Sequence, residues 1–426
     1  MLYFIIFLFV MSFVFQIKMS FKTYGHFFNP IFIFNIIFFL HNWSFSFSKI
    51  IYTDLYWSTP ANNDFYQIYV LLINLSCLWT FFLTCLFFCK KKKTFLIKNQ
   101  YSFSIYTKMY FLFVLISLIK SFFSGGSVYG EGQALTSAEA FNPLNIILSS
   151  RAIWGSVVLI NNKSKKLTIA VIFLELILSI IGGGRKSFII ILVAGLLSRY
   201  EFYQIKVKLK TVLKAFFGLF FLSYFSVFII FFRLTSKESL DFSTRFSMTI
   251  NEMNLSSVNL FFFALNSANS EGVQNWTYQL ITEKKMDLIY GLSYIQSMVN
   301  TVILRPFQGE LVNYQAAYYF KQIAYPGVSD HGWDFSFSAE SVLNWGRMAF
   351  ISYFFLALAL SIFYNRRNRS DFYNTLYLLV ISLLYICIRT DSTSLIRYIS
   401  FFVFSFYIFR FFKIIQKRRK EKLILN

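Results

Sequence analysis

The sequence predicts an all-α, polytopic membrane protein of about eleven transmembrane helices with one large helical extracytoplasmic loop, the whole chain 1–426 forming a single integral membrane domain. Three observations point there. The chain is 57% hydrophobic and only 14% charged, where a soluble domain carries about 25% charged residues. Apolar runs of the ~17–25 residues that cross a hydrocarbon core recur along most of the sequence, and the short alternating segments of a β-barrel do not. Lysine and arginine also divide unequally between the two sides that these runs define.

Taken in order, the spans fall near residues 2–16, 30–47, 65–89, 109–123, 143–160, 167–182, 187–198, 211–232, 347–364, 372–388 and 395–414. The first has no basic n-region and no small-residue cleavage site, so it reads as a retained span. Cys77, Cys85, Cys89 and Cys387 all lie in apolar runs, without a CxxC pair or nearby histidines, and read as small hydrophobes. The sixth span carries Glu175 at its middle, in "VIFLELILS". An acid at that depth is a functional group or the partner of a neighbouring helix. The seventh span is the shortest.

Between the sixth and seventh spans stands "SIIGGGRKSFII" (179–190). A nucleotide-binding P-loop needs Gly-Lys-Ser/Thr after a strand, and here Arg185 separates Gly184 from Lys186. Two readings stay open. The cations snorkel to lipid phosphates, or Arg185 meets a phosphate-bearing substrate where glycines allow close approach and a helix begins.

Orientation follows from charge. The runs "CKKKKTFLIK", "NNKSKK", "SRYEFYQIKVKLK", "YNRRNRS" and "KRRKEK" share one side, which holds 26 of the 41 basic residues and three acidic ones, Glu201, Asp371 and Glu421. That side is the cytoplasm by the positive-inside rule, with the N-terminus outside and the C-terminus inside. The net charge of +22 therefore marks topology and no nucleic-acid partner.

Residues 233–346, between the eighth and ninth spans, are too long for a connector. Their mixed charge and aromatic content predict a folded, mostly helical cap on the outer face, with "VNLFFFAL" and "LIYGLSYIQSMVNTVIL" at the interface. His26, His41 and His331 lie far apart, and no HExxH, DxD or GxSxG pattern occurs, so no metal site or hydrolase elbow is expected. His41 reads as structural. Outward arginines remain, Arg233, Arg245, Arg305, Arg347 and Arg389, with His331, Glu340 and Asp391 among them. Gathered on one face, such a set suits a polyanion. A helix over 338–348 would put Glu340, Asn344 and Arg347 on one face, and Asp391 reads as an N-cap of the last span through "DSTS".

Three segments, "YGLSYIQSMVNTVILRP" (290–306), "FSFSAESVLNWGRMAFISYF" (335–354) and "IRTDSTSLIRYISFFVFSF" (388–406), resemble the bacterial oligosaccharide repeat-unit polymerases of the O-antigen polymerase (Wzy) type. "GGGRKS" resembles that family's Gly/Ser-Arg turn, so the likeness runs through roughly residues 165–415. The resemblance implies a C-type glycosyltransferase-like fold in the bacterial inner membrane. It also implies a metal-independent enzyme, without a cofactor, that moves a growing O-antigen or capsular glycan from undecaprenyl diphosphate to a new lipid-linked repeat unit. Membrane lipids, a chain-length-regulating co-polymerase and a flippase are its implied partners. Arg185, Arg305, Arg389 and Arg245 would clamp the diphosphate. His331 or Glu340 would orient or deprotonate the acceptor hydroxyl, with a structural ion pair the other reading of Glu340. Trp276, Trp333 and Trp345 would stack on sugars or belong to the aromatic belt. An O-antigen ligase shares nearly all these features, and a lipid-linked oligosaccharide flippase or transporter shares many.

Overall fold

A computed structural model of the chain describes residues 1–26, 29–42, 46, 64–90, 104–123, 150–162, 164–182, 186–203, 224, 227, 228, 232, 242–253, 271–302, 313–326 and 335–425. The regular elements among these residues are helices: α1 (Leu2–Tyr24), α2 (Pro30–Asn42), α3 (Asp64–Phe88), α4 (Ser104–Phe123), α5 (Arg151–Asn161), α6 (Lys165–Gly182), α7 (Lys186–Tyr203), α8 (Phe242–Glu252), α9 (Glu271–Thr282), α10 (Leu292–Val302), α11 (Ala316–Ala324), α12 (Phe337–Trp345), α13 (Phe350–Arg366), α14 (Asp371–Arg389) and α15 (Ser392–Leu425). The all-α expectation holds for them. In hydrocarbon only helices and closed β-barrels satisfy every backbone N–H and C=O, and a segment that is apolar throughout suits the helix.

Among the described residues, four helical stretches are long and apolar enough to cross a membrane: Leu2–Tyr24, Phe65–Phe88, Asp371–Ile388 and Ser392–Phe412. A fifth appears if Phe337–Met348 and Phe350–Arg366 form one broken span. The expected span at 211–232 lies almost wholly outside the described residues, as does the first half of that at 143–160. The seventh is longer than expected, an 18-residue helix. α15 runs on through "KRRKEK", because Lys, Arg and Glu are good helix formers once the chain has left the apolar run.

Aromatic rings fill the core. Phe34 stacks on Phe81 with centroids 3.5 Å apart, and Phe38 meets Tyr353 edge-on at 5.4 Å, which joins α2, α3 and α13. Gly155 lets α5 close on its neighbours: a Cβ there would lie 2.6 Å from Ile191 and 2.9 Å from Tyr110. The four cysteines are buried and free, as read from sequence. His41 is buried beside the Tyr385 ring, also as expected. At the turn after α1, His26 lies 3.2 Å from the Tyr364 hydroxyl. Burial, then the nearby Arg367 charge, lower its value to about 4, so it is neutral at pH 7.

Glu175 takes the second of its two roles. Arg151 of α5 donates from Nε at 2.7 Å and from Nη2 at 3.2 Å to its two oxygens. The remaining groups are used too, Arg151 Nη1 donating to Ser117 Oγ and the Tyr110 hydroxyl to Glu175. Three helices, α4, α5 and α6, are thereby tied by one ion pair whose carboxylate is fully buried.

A smaller apolar cluster, separate from the main one, is built by Val273, Trp276 and Leu280 of α9, Phe320 of α11, and Ala339 and Leu343 of α12. The described part of 233–346 thus has a core of its own. α12 starts where Ser336 caps it, accepting from the Ala339 amide at 3.0 Å. It stops at Gly346, whose φ of +57° is a conformation that a side chain disfavours. The chain then bends by 119° into α13.

Breaking the Arg151–Glu175 pair by Arg151→Met should cost about 3–5 kcal/mol, since it strands a buried carboxylate. The double variant Arg151→Met/Glu175→Met should recover most of that. Thermal stability in detergent reads both, and a double variant no better than the single would show that the pair is not the tie.

Candidate functional site

The bend after α12 directs that helix across the end of the bundle where α14 finishes and α15 begins, and Glu340 lies at the junction. Its side chain is fully buried. Ser293 of α10 donates its hydroxyl to Glu340 Oε1 at 2.6 Å. Ser392, the first residue of α15, donates its backbone N–H to Oε2 at 2.6 Å and its hydroxyl to Oε1 at 2.8 Å. A free amide at a helix N-terminus favours an anion, so the carboxylate caps α15 from outside that helix.

A second tier supports this contact. Asn344, one turn beyond Glu340, donates to Ser293 Oγ at 2.7 Å, and its Oδ1 accepts from the Gly291 amide at 2.8 Å. Ser297 and Thr393 join α10 to α15 at 2.8 Å. The Tyr294 hydroxyl lies 2.6 Å from Ser352 Oγ, which joins α10 to α13. The turn before α10 is special in its backbone: Tyr290 has φ +45° and Gly291 φ +86°. A Cβ on Gly291 would also come within 3.2 Å of the Trp345 ring, so glycine is required there twice over. A tyrosine in this conformation is strained, and such strain gathers at functional sites. The Tyr290 side chain itself is 70% exposed.

The electrostatics pull two ways. Three donors favour the carboxylate form of Glu340. Burial, and then the neighbouring Asp391 carboxylate, favour the acid, and no described side chain forms an ion pair with it. Burial wins, and the value rises to about 8.

The expected single face of Glu340, Asn344 and Arg347 is only partly formed. Glu340 and Asn344 do share a partner in Ser293. Arg347 lies past the Gly346 stop in a 3₁₀ turn, where its Nε donates to Tyr278 Oη at 3.1 Å and its guanidinium stands 5.4 Å over the Tyr69 ring. A helix reading over 338–348 missed the glycine's positive φ. Trp276 is only 8% exposed and meets Tyr325 and Phe320 edge-on, as a core residue. Trp345 is half-buried, and its Nε1 meets no acceptor among the described residues.

The other expected site residues fall differently. Arg185, Arg305, His331 and Trp333 lie outside the described residues. Arg245 is in α8 and Arg389 ends α14, two residues before Asp391; their side chains are not among those described. Asp391 is 8% exposed at the start of α15. No group of three or more potential metal ligands occurs among the described residues.

Sequence reasoning missed Ser293, Ser297 and Thr393, and read the serines of "DSTS" only as part of a cap. The signal was there for two of them: Ser293 and Ser297 are i and i+4, so their hydroxyls share one face of α10. Glu271 was missed altogether. It is fully buried on α9 and accepts from the Ser46 amide at 3.2 Å.

In comparisons with known proteins, the family described as O-antigen polysaccharide polymerase Wzy matches residues 1–420. No curated protein and no solved structure matches the chain.

Glu340 gives a pH dependence with a definite sign. Its value is raised on folding, so between its ordinary value near 4.5 and about 8 the folded chain holds a proton that the unfolded chain has lost. Stability from this group is complete below that window and falls as pH rises through it. The melting temperature should therefore decline from pH 6 to 9, and Glu340→Gln should flatten the decline. An equally steep decline in the variant would assign it to another group.

Proposed function

We propose a site for the reaction from one premise: the chain belongs to the O-antigen polysaccharide polymerase Wzy family. It is accordingly an inner-membrane, glycosyltransferase-like polymerase that acts on lipid-linked oligosaccharide repeat units. The observation that carries our assignment is the convergence on Glu340 of the segments 290–306, 335–354 and 388–406 through hydrogen bonds of 2.6–2.8 Å. These are the three segments that resemble the family's motifs.

In this reading the reaction breaks the bond between the sugar anomeric carbon and the diphosphate of the donor. It forms a glycosidic bond to a hydroxyl of the incoming repeat unit, and undecaprenyl diphosphate departs. Arg185, Arg305, Arg389 and Arg245 meet the charge that grows on the leaving diphosphate; guanidinium matches phosphate oxygens bidentately. His331 takes the acceptor proton. Glu340 acts as a positioning residue, since its oxygens are already engaged by Ser293 and Ser392. It fixes the α10 and α15 ends against α12, and with them the Tyr290–Gly291 turn. Trp345 is the remaining described candidate for sugar contact. No metal is required, because arginines supply the positive charge.

The topology belongs to the same proposal. Eleven spans in a C-type glycosyltransferase-like arrangement, N-terminus outside and C-terminus inside, would place Glu340 and the loop 233–346 at the outer face. The lysine and arginine asymmetry supports it. Reporter fusions should give an outside signal at Ser270 and a cytoplasmic one at Asn426. A cytoplasmic signal at Ser270 would remove the outer-face site.

Activity is read on a glycan gel. Cells lacking the chain should attach single repeat units only. In cells restored with Arg185→Ala, long chains should be lost at normal membrane levels, because truncating a buried charged contact costs about 2–5 kcal/mol. Lys186→Ala, an interfacial anchor, should cost about 1 kcal/mol or less. Full-length glycan from Arg185→Ala would reduce the "GGGRKS" turn to an anchor. Purified wild-type protein should still polymerise in EDTA, and loss of activity there, restored by a divalent cation, would refute the metal-free route.

A further inference from the structure

A second set of polar side chains is buried between α9 on one side and α3 with Ser46 on the other. Glu271, Gln274 and Asn275 of α9 are each at most 1% exposed, and Ser46, Gln67 and Asn74 opposite them at most 2%. Five of the six are paired. Asn74 and Gln274 exchange amide hydrogen bonds at 3.1 and 2.8 Å. The Ser46 hydroxyl donates to Glu271 and accepts from Gln67 Nε2 at 2.7 Å. Asn275 differs. It lies one turn beyond Glu271 on the same face of α9, and its buried Oδ1 meets no donor among the described residues.

A buried acceptor left without a donor is destabilising, and an apolar side chain at that position would remove the penalty. The groups beside it on that side of α9 are a carboxylate, carboxamides and a hydroxyl. Such a set suits the hydroxyls of a neutral sugar and repels a diphosphate. α9 also packs along α12, the Glu340 helix, but on its other side, through Val273, Trp276 and Leu280, and its Tyr278 receives Arg347.

We propose that the Glu271–Asn275 face of α9 is a sugar subsite for the lipid-linked repeat unit, in which Asn275 Oδ1 accepts a hydrogen bond from a sugar hydroxyl. The proposal rests on the polymerase assignment above and adds where a neutral part of the substrate is held. The face is packed against α3 in this structure, so binding requires α9 to part from α3.

The test separates ligand contact from packing. Full-length wild type, Asn275→Leu and Asn275→Ala are purified and given lipid-linked single repeat units extracted from cells lacking this chain. Both variants lose an unpaired carbonyl, so their melting temperatures should match or exceed that of wild type. KM for the repeat unit should rise about tenfold, the worth of one hydrogen bond. Unchanged KM in a normally folded variant would overturn the subsite. Loss of folded protein in both variants would also overturn it, because the amide would then be holding the fold. Wild-type protein that makes no polymer from these units would overturn the polymerase assignment, and the subsite with it.

Discussion

The Glu340 carboxylate accepts from Ser293, 47 residues before it, and from Ser392, 52 residues after it, and the site end of the molecule depends on those contacts. Removing a carboxyl group from water is costly unless its oxygens are matched by donors. Here the donors come from α10 and from the first residue of α15, so the cost is offset only when all three elements are correctly placed. The contact therefore works as a test of assembly. Once it forms, Asn344 can reach both Ser293 and the Gly291 amide, and the strained Tyr290–Gly291 turn is held from two sides.

Elsewhere the chain combines the same two materials in other proportions. Between α2, α3 and α13 the packing is aromatic, and rings such as Phe34 and Phe81 supply area with no polar obligations. Several of the buried polar groups come in matched sets. Arg151 and Glu175 satisfy one another and draw in Ser117 and Tyr110. The Asn74–Gln274 pair is reciprocal. A membrane interior gives little hydrophobic drive for one helix to choose another, so directional contacts of this kind decide which helices are neighbours.

The bend at Gly346 connects these themes to function. A straight continuation of α13 would have pointed Glu340, Asn344 and Arg347 along one line. The 119° turn instead sends Glu340 and Asn344 toward α10 and α15, and Arg347 toward Tyr278 and Tyr69. The catalytic arginines proposed here come from separate segments, so what they need from the scaffold is a common anchor. In the proposed reading Glu340 anchors the segments that carry Arg305 and Arg389 without itself touching the substrate.

Composition and apolar run length determined by themselves that the chain is helical and membrane-embedded, because a polar backbone in hydrocarbon has so few solutions. Charge distribution gave an orientation, and three short segments pointed to the family. The partner of Glu175 was left open, because an ion pair joins residues 24 apart whose spacing carries no local signal. Ser293 and Ser297 share a face of α10 and "DSTS" reads as a cap, but for the same reason neither pattern names Glu340 as the partner. Only tertiary structure could show that Arg347 leaves the face of Glu340, since a backbone φ at one glycine sets it. Only it could bury Trp276 in a cluster of rings and bring Glu271 against Ser46. Periodicity along the chain fixes what each segment must become. Which segments meet is decided by hydrogen-bond geometry and packing across distances that periodicity cannot see.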